Sequence, residues 1–337
     1  MRVLVTGATG LVGGAVAREL AARGHAVRIL ARPTSDASSL ADVSVEIARG
    51  DVLDAAAVRR ALEGCEAVVH TAGAVGFRAG QEAQLIEVNA RGVEVVLGAA
   101  LEAGVKRAVL TSSTAVLGGT RAPEVQDETA EGNVDALGIP YFTSKKMGER
   151  TAIALASKGL PVTVVRPAYV LGPGDVHGSS SATIVALVRR RIPAYVEGGA
   201  SFCDVRDVAV GHAAALERGR VGDVYILGGH NLTMTQLTAR VAALSGVKPP
   251  PRIPYTAALG AAMVQEVWAR VSGGRAAMSR DLVRSAALYT LVSSTKAERE
   301  LGYTIRPFDD MIRDTLRWFI ARGKLRPETA ELQALAA

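Results

Sequence analysis

The strongest chemical signal in the sequence is a tyrosine and a lysine four residues apart, Tyr141 and Lys145. They stand at the start of a helical pattern, where an i, i+4 spacing places two side chains on one face. A phenol has a pKa of about 10, and a nearby ammonium lowers that pKa because it stabilises the phenolate. The pair therefore predicts a general acid, Tyr141, that protonates a carbonyl oxygen.

A run of hydroxyl side chains, Thr111-Ser112-Ser113-Thr114, closes a predicted strand upstream of the tyrosine. In an open parallel sheet, the carboxyl ends of the strands face the crevice where ligands bind. A serine there can hydrogen-bond a substrate oxygen and orient it toward Tyr141. The residues alone leave open whether Ser112, Ser113 or Thr114 has this role.

A glycine-rich turn, Thr6-Gly-Ala-Thr-Gly-Leu-Val-Gly13, lies directly between the first predicted strand and the first predicted helix. Glycines at such a turn allow a tight bend, close backbone approach to a pyrophosphate, and close packing of helix on strand. The helix N-terminus adds free N–H groups and the positive end of the helix dipole. The spacing is G-x-x-G-x-x-G, and its placement predicts a dinucleotide site.

The end of the second predicted strand indicates which dinucleotide binds. NAD sites usually carry Asp or Glu there, bonded to the ribose 2′-hydroxyl. This chain instead reads Arg32-Pro-Thr-Ser35, with no carboxylate before Asp36. The guanidinium of Arg32 suits a phosphate, and the hydroxyls of Thr34 and Ser35 can add hydrogen bonds. We therefore expect NADP(H).

Short apolar runs alternate with longer helical patterns through the first two-thirds of the chain. This alternation predicts an α/β fold of Rossmann type, with a doubly wound parallel sheet and a smaller C-terminal substrate-binding cap. Residues 1–168 are expected to form the nucleotide-binding domain, parts of 200–230 to return to it, and 169–330 to form mainly the cap. The expected strands are 2–6, 26–30, 43–48, 67–70, 108–111, 162–166 and 224–227. The expected helices are 11–23, 54–63, 83–103, 141–158, 181–191, 233–245, 256–272, 279–289 and 308–322.

Composition excludes several classes of function. Of 337 residues, 49% are hydrophobic and 21% charged, which is ordinary globular usage. The net charge is +6, but the densest basic run is only Arg189-Arg190-Arg191, and aromatics are 4%, so we expect no nucleic-acid partner. Two cysteines with no metal-ligand spacing predict neither a disulfide framework nor a metal site. Without a signal peptide or a membrane-length apolar stretch, a cytoplasmic location is expected.

Taken together, these motifs resemble the extended short-chain dehydrogenase/reductase family over nearly the whole chain. The similarity is greatest to its dihydroflavonol-reductase-like and 3β-hydroxysteroid-dehydrogenase-like members. The loop 32–36 and the segment 192–196 are also similar to hopanoid-associated sugar epimerases. Besides the motifs above, the segments that carry the resemblance are Gly50-Asp-Val52, His70-Thr-Ala-Gly73, Val88-Asn89, Arg166-Pro167 and Asp207-Val-Ala209.

The resemblance implies roles for particular residues of this chain. Ser113 matches the catalytic serine, Tyr141 the acid/base, and Lys145 the lysine that binds the nicotinamide ribose and tunes the tyrosine. It also implies that the cofactor contacts include Gly7, Thr9, Gly10, Leu11, Val12, Asp51, Val52, Thr71, Ala72, Gly73 and Pro167. A homodimer is an expectation from the resemblance alone.

The leading hypothesis is an NADPH-dependent reductase of a ketone or aldehyde, reversible as an alcohol dehydrogenase. A bulky apolar or aromatic substrate is expected, in contact with Ser113, Tyr141 and the apolar residues Phe77, Tyr169 and Phe202. One alternative is a nucleotide-sugar epimerase or dehydratase on the same fold. A second is a non-catalytic NADP-binding protein.

One late helical pattern has a face without an assigned partner. Residues 256–272 carry Ala258, Leu259, Ala262, Met263 and Val267 at helical spacing. Such a face can pack inside the protein, contact a dimer partner or lie on a membrane surface. Packing is the commonest use and is the expectation here.

Overall fold

The computed structural model describes residues 1–78, 80–272, 274 and 278–336. The strands are β1 (Arg2–Thr6), β2 (Ala26–Ala31), β3 (Val45–Arg49), β4 (Ala67–His70), β5 (Arg107–Thr111), β6 (Val125–Gln126), β7 (Val162–Pro167), β8 (Tyr169–Leu171), β9 (Gly199–Asp204), β10 (Val224–Leu227), β11 (His230–Thr233) and β12 (Tyr289–Val292). The helices are α1 (Leu11–Ala22), α2 (Ala55–Leu62), α3 (Glu82–Ile86), α4 (Gly92–Glu102), α5 (Val134–Leu137), α6 (Pro140–Ala156), α7 (Ala182–Val188), α8 (Val205–Arg218), α9 (Met234–Ser245), α10 (Tyr255–Ser272), α11 (Arg280–Ala286), α12 (Thr295–Leu301), α13 (Phe308–Ala321) and α14 (Ala330–Ala336).

Seven parallel strands form the main sheet, in the order β10-β7-β5-β4-β1-β2-β3. The central strands are apolar on both faces, so they are stable only when helices cover the sheet on both sides. On one face Val16 and Leu20 of α1 pack against Ala213 of α8, and on the other Val58 of α2 packs with Val96 of α4. The predicted Rossmann-type fold is confirmed.

A second sheet runs β11-β9-β12-β6, with β8 paired to β9. It packs with α7, α9 and α13 around a separate apolar core that includes Phe202 and Phe308. Thr233 caps α9 through a capping box with Gln236, which fixes the turn from β11 into that helix.

The structure corrects several predicted elements. The expected helix 83–103 contains a π-helical segment, Glu87–Arg91, between α3 and α4. The expected helix 279–289 stops at Ala286, because the residues from Tyr289 onward pair with the second sheet. The 14-residue helix α8 was not predicted. The strands of the second sheet were not predicted either, because strands of two to six residues give little periodic signal.

Within the described residues, no cluster of three or more His, Cys, Asp or Glu side chains is arranged to hold a metal ion. Among the described helices, none combines the length and apolar character needed to cross a bilayer. Cys65 and Cys203 are both free thiols.

Candidate active site

Gly7 and Gly13 of the glycine turn lie too close to neighbouring backbone atoms to carry a side chain. Gly7 has φ +74°, and a Cβ there would lie 2.6 Å from the backbone nitrogen of Ala72. A Cβ on Gly13 would lie 2.3 Å from the carbonyl oxygen of Gly7. Helix α1 starts immediately after Gly10, which has no side chain to cap the first N–H groups. These N–H groups are therefore available to an anion.

The carboxyl ends of β1, β4, β5 and β7 lie side by side at this edge of the sheet. The hydroxyl of Thr71 donates a 2.6 Å hydrogen bond to the carbonyl of Thr6 and fixes the segment Thr71-Ala72-Gly73 beside the glycine turn. A Cβ on Gly73 would lie 3.1 Å from the Nζ of Lys145. The fold thus brings the predicted cofactor residues after β4 against the predicted catalytic lysine.

Lys145 lies on α6 and is half-buried, with its Nζ donating to the carbonyl of Thr111 at 3.3 Å. Burial lowers the pKa of Lys145 to about 8, and the negative charge of Glu149 acts in the opposite direction. The ammonium is therefore held where the strand β5 ends, one helical turn from Tyr141.

Burial and one neighbouring hydroxyl act in opposite directions on the pKa of Tyr141. Burial raises the pKa of Tyr141, and the interaction of its hydroxyl with the Ser113 side chain lowers it in part. The ammonium of Lys145 donates to the carbonyl of Thr111. Desolvation of the phenol outweighs the hydrogen bond from Ser113, so Tyr141 is held protonated.

The adjacent hydroxyls have different partners. Ser112 is buried and its Oγ donates to Glu149 at 2.6 Å. Ser113 is half-buried, accepts a hydrogen bond from the backbone N–H of Ala115 at 3.1 Å, and interacts with the hydroxyl of Tyr141. Thr114 is buried. The geometry therefore brings Ser113, rather than Ser112, to the tyrosine.

Two residues that the sequence reasoning gave no role support this arrangement. Glu149 is buried and pairs with Arg166, whose Nε donates to it at 3.0 Å. Asn89, in the π-helical segment, bonds both the N–H and the carbonyl of Ala74 and donates to Ser144 at 3.0 Å. The i, i+4 spacing of Lys145 and Glu149 could have identified Glu149 from the sequence. The role of Asn89 depends on tertiary contacts.

The loop after β2 presents Arg32 and Thr34 exposed and Ser35 half-buried. The guanidinium of Arg49, at the end of β3, donates to the carbonyls of Arg32 and Ser35 at 3.2 and 3.3 Å. This contact fixes the loop's backbone and leaves the Arg32 side chain extended into solvent. Sequence reasoning did not single out Arg49.

The remaining predicted adenine-side residues lie just beyond β3. Asp51 accepts a hydrogen bond from the N–H of Leu53 at 3.0 Å, and Val52 is half-buried against Gly92. Pro167 is buried and ends β7, where it pairs with Leu227 of β10.

The five predicted substrate residues fall into two groups. The ring of Phe77 lies 5.5 Å from that of Tyr141, and Phe142 joins them at 6.1 Å from Tyr141. The rings of Tyr169 and Phe202 contact each other at 5.3 Å in the other group. Phe202 is only 2% exposed and belongs to the core of the second sheet.

A loop from the second half of the chain reaches over the glycine turn. The ring of His177 hydrogen-bonds the carbonyl of Thr9 at 3.1 Å, and Gly174 approaches the side chain of Leu11. Val12, like Thr9 and Leu11, is half-buried. Sequence reasoning did not identify His177, because nothing in its local pattern shows which turn it contacts.

Comparison with known proteins gives one family. Residues 3–228 match the model of the NAD dependent epimerase/dehydratase family. The chain is 33% identical over 330 residues to sterol demethylase protein B of Methylococcus capsulatus, covering 96% of this chain and 100% of that protein.

A second relative is named 4-hydroxy-2-methyl-3-oxo-4-farnesyl-3,4-dihydroquinoline-1-oxide ketoreductase, from Stigmatella aurantiaca. It is 30% identical over 324 residues, covering 94% of this chain and 96% of that protein. Among solved structures, gox2253 aligns with a TM-score of 0.85 at 37% identity, covering 96% of this chain and 99% of that one.

Proposed function

The chain belongs to the NAD dependent epimerase/dehydratase family, within the extended short-chain dehydrogenase/reductases, and on that premise we propose that it is an NADPH-dependent reductase of ketones or aldehydes. The reaction is reversible, so the same site oxidises the corresponding alcohol. The observation that carries the proposal is the meeting of Ser113, Tyr141 and Lys145 at the mouth of the glycine turn.

The residues present fit a dinucleotide cofactor. A Cβ at Gly7 or Gly13 would clash with backbone, so only glycine permits this tight turn, which leaves the uncapped N–H groups at the start of α1 free to bind a pyrophosphate. Arg32, supported by Thr34 and Ser35, would hold the 2′-phosphate of NADP(H), and Asp51 and Val52 would flank the adenine. Thr71, Ala72, Gly73 and Pro167 would line the nicotinamide half, with Lys145 on the ribose hydroxyls.

The protein's part of the chemistry is placement and proton transfer. When bound, the nicotinamide supplies or accepts the hydride. Ser113 donates a hydrogen bond to the substrate oxygen, which stabilises the negative charge that develops there. Tyr141, held protonated by burial, gives its proton to that oxygen. Lys145, one turn along the same helix, would stabilise the phenolate that results.

We propose a bulky apolar or aromatic substrate. Phe77 and Phe142 surround the ring of Tyr141 with apolar surface, and Tyr169 supplies another ring on the cap side, packed on the buried Phe202. Two relatives support this proposal, because the ketoreductase is named for a farnesyl-substituted quinoline oxide and sterol demethylase protein B for a sterol, both bulky apolar molecules.

In this proposal residues 1–168 bind the cofactor, parts of 200–230 return to that unit, and 169–330 mainly form the cap. Pairing of β10 with β7 supports the return, because it places a late strand at the edge of the main sheet. We propose that the enzyme works in the cytoplasm, and as a homodimer.

The decisive experiment is titration of the purified protein with NADPH and NADH. Tighter binding of NADPH, reduced to the level of NADH in Arg32→Ala, supports the reductase with Arg32 as the phosphate ligand. A panel of aromatic and polycyclic ketones is then assayed for net consumption of NADPH.

The second candidate is a nucleotide-sugar epimerase or dehydratase. The name of the family that residues 3–228 match, NAD dependent epimerase/dehydratase, favours this candidate. It predicts equal or tighter binding of NADH, turnover of nucleotide sugars, and no net change in the cofactor. Those three results together would replace the reductase proposal.

A further inference from the structure

The outer face of helix α10 exposes large apolar side chains to solvent. The helix has 18 residues, and five of its large apolar side chains are between 49% and 78% exposed. They are Met263 (49%), Val264 (69%), Val267 (60%), Trp268 (71%) and Val271 (78%). The packing expected of this helix is found for Ala258 and Ala262, which are buried, and for Leu259, which is half-buried against them. It is wrong for Met263 and Val267, which are exposed.

These five side chains form one continuous face. At about 100° per residue, they fall within roughly 140° of the helix circumference. The opposite side holds Ala258 and Ala262, together with two polar residues that face the protein. Gln265 accepts a hydrogen bond from the N–H of Met278, and Glu266 pairs with Arg280 at 2.7 Å. The inner side of α10 therefore combines small apolar residues with satisfied polar groups, while its large apolar side chains face water.

The segment around this face is basic. Residues 248–284 contain six Lys or Arg and two Asp or Glu, a net charge of +4 out of +6 for the whole chain. Lys248 is exposed, and Arg252, whose side chain is 64% exposed, lies 3.6 Å from Glu197; both precede α10. Arg280 and Arg284 pair with Glu266 and Asp281. Apolar surface on a segment of net positive charge is complementary to an anionic lipid surface.

We propose that the outer face of α10 binds the surface of an anionic lipid membrane. A helix of this length extends for about 27 Å at 1.5 Å per residue, and it would lie parallel to the membrane with its apolar face in the boundary between headgroups and acyl chains. Five apolar residues fall well short of the roughly 20–30 residues a side of a standard protein interface, which favours a lipid surface over a second copy.

Helix α10 is also connected to the candidate active site. Helix α11 packs against α10 through Arg280 and Glu266, and Ser279, which caps α11, donates its hydroxyl to the carbonyl of Phe77. The ring of Phe77 contacts Tyr141 at 5.5 Å. The inner side of α10 is thus connected through α11 to the aromatic wall of the site. The proposal does not depend on the reaction the site performs.

Flotation of the full chain with vesicles tests the proposal. Binding is expected to vesicles of mixed phosphatidylglycerol and phosphatidylcholine, to weaken as salt is raised, and to fall at least tenfold in Val267→Asp. Val221→Asp is the matched control, because Val221 is 52% exposed and lies outside this face. It should bind like the wild type.

A spectroscopic readout separates lipid contact from other causes. The chain has two tryptophans, so Trp318→Phe leaves Trp268 as the sole indole. Its emission is expected to shift to shorter wavelength on addition of the anionic vesicles. Absence of both flotation and shift overturns the proposal. The proposal is also overturned if sedimentation velocity shows a wild-type dimer that Val267→Asp dissociates and flotation is absent. In that case the face joins two copies of the chain.

Discussion

The Oγ of Ser112 donates a 2.6 Å hydrogen bond to the Oε2 of Glu149, which also accepts from the guanidinium of Arg166. The side chain of Ser112 is therefore bonded within the buried group formed by Glu149 and Arg166. The adjacent Ser113 interacts instead with the hydroxyl of Tyr141. The backbone alternates direction at a strand end, so neighbouring side chains point to different surroundings. The two serines therefore have different expected roles.

Substitution of each serine by alanine should separate these roles. Ser113→Ala is expected to lower kcat by about 10²–10³-fold, with little change in stability, because it removes a hydrogen bond to developing charge. Ser112→Ala should lower stability by roughly 1–3 kcal/mol, since it leaves a buried carboxylate short of a partner. Steady-state kinetics and urea unfolding measure the two effects. Equal kinetic losses in both variants would contradict the assignment.

Tyr141→Phe should abolish proton donation while keeping the aromatic packing. We expect kcat to fall by about 10²–10⁴-fold, the usual contribution of a general acid. Binding of NADPH, measured by fluorescence titration, should change little, and so should the melting temperature. The matched control is Tyr169→Phe, which loses only a hydroxyl bonded to Thr183. Full activity in Tyr141→Phe would favour a cofactor-binding role without catalysis.

Glu149 should set the alkaline limit of activity. Because its charge raises the pKa of Lys145, which burial lowers to about 8, Glu149→Gln should lower that pKa further. The alkaline limb of the kcat/KM profile should then move to lower pH. The substitution also leaves Arg166 short of its partner and should cost roughly 3–5 kcal/mol of stability. Glu149→Asp, which keeps the charge, should restore the profile; an unchanged profile in Glu149→Gln would argue against this coupling.

Arg49 should influence cofactor choice through the backbone of the Arg32 loop. Arg49→Ala removes two hydrogen bonds to loop carbonyls, so we expect the Kd of NADPH to rise by about 3–10-fold, as for loss of roughly 1 kcal/mol. The Kd of NADH should stay constant. Arg60→Ala, at an exposed position of α2, serves as the control. A parallel loss of NADH affinity would mean that Arg49 supports the fold generally.

Two buried histidines should make the fold sensitive to acid. Burial lowers the pKa of His70 to about 3 and that of His212 to about 4, against 6.5 in the unfolded chain. Between about pH 6.5 and 4 the unfolded state binds protons that the folded state does not, so stability falls as pH falls. The loss is on the order of 1 kcal/mol per pH unit for each histidine.

His212→Phe tests this dependence, since it removes one of the two buried histidines. The slope of the urea midpoint against pH between about 6.5 and 4.5 should become shallower, even if the variant is less stable throughout. His177→Phe, at an exposed position, should keep the wild-type slope. A wild-type slope in His212→Phe would mean that carboxylates dominate the dependence.

The sequence by itself determined the parts of the protein that depend on local pattern. Apolar runs separated by helical patterns predict the parallel sheet, because a strand buried on both faces has no polar alternation. The glycine turn and the Tyr141–Lys145 spacing are also local, since a tight bend and a shared helix face need only neighbouring residues.

Only the tertiary structure decided the relations between distant segments. Several hydrogen bonds of the site join residues far apart in the chain. They link Ser112 to Glu149, Arg49 to the Arg32 loop and His177 to Thr9. The pKa of Tyr141 belongs with them, because desolvation depends on everything packed around the phenol. The outward face of α10 does too: periodicity shows which side chains share a face, but burial depends on what the rest of the fold places against it.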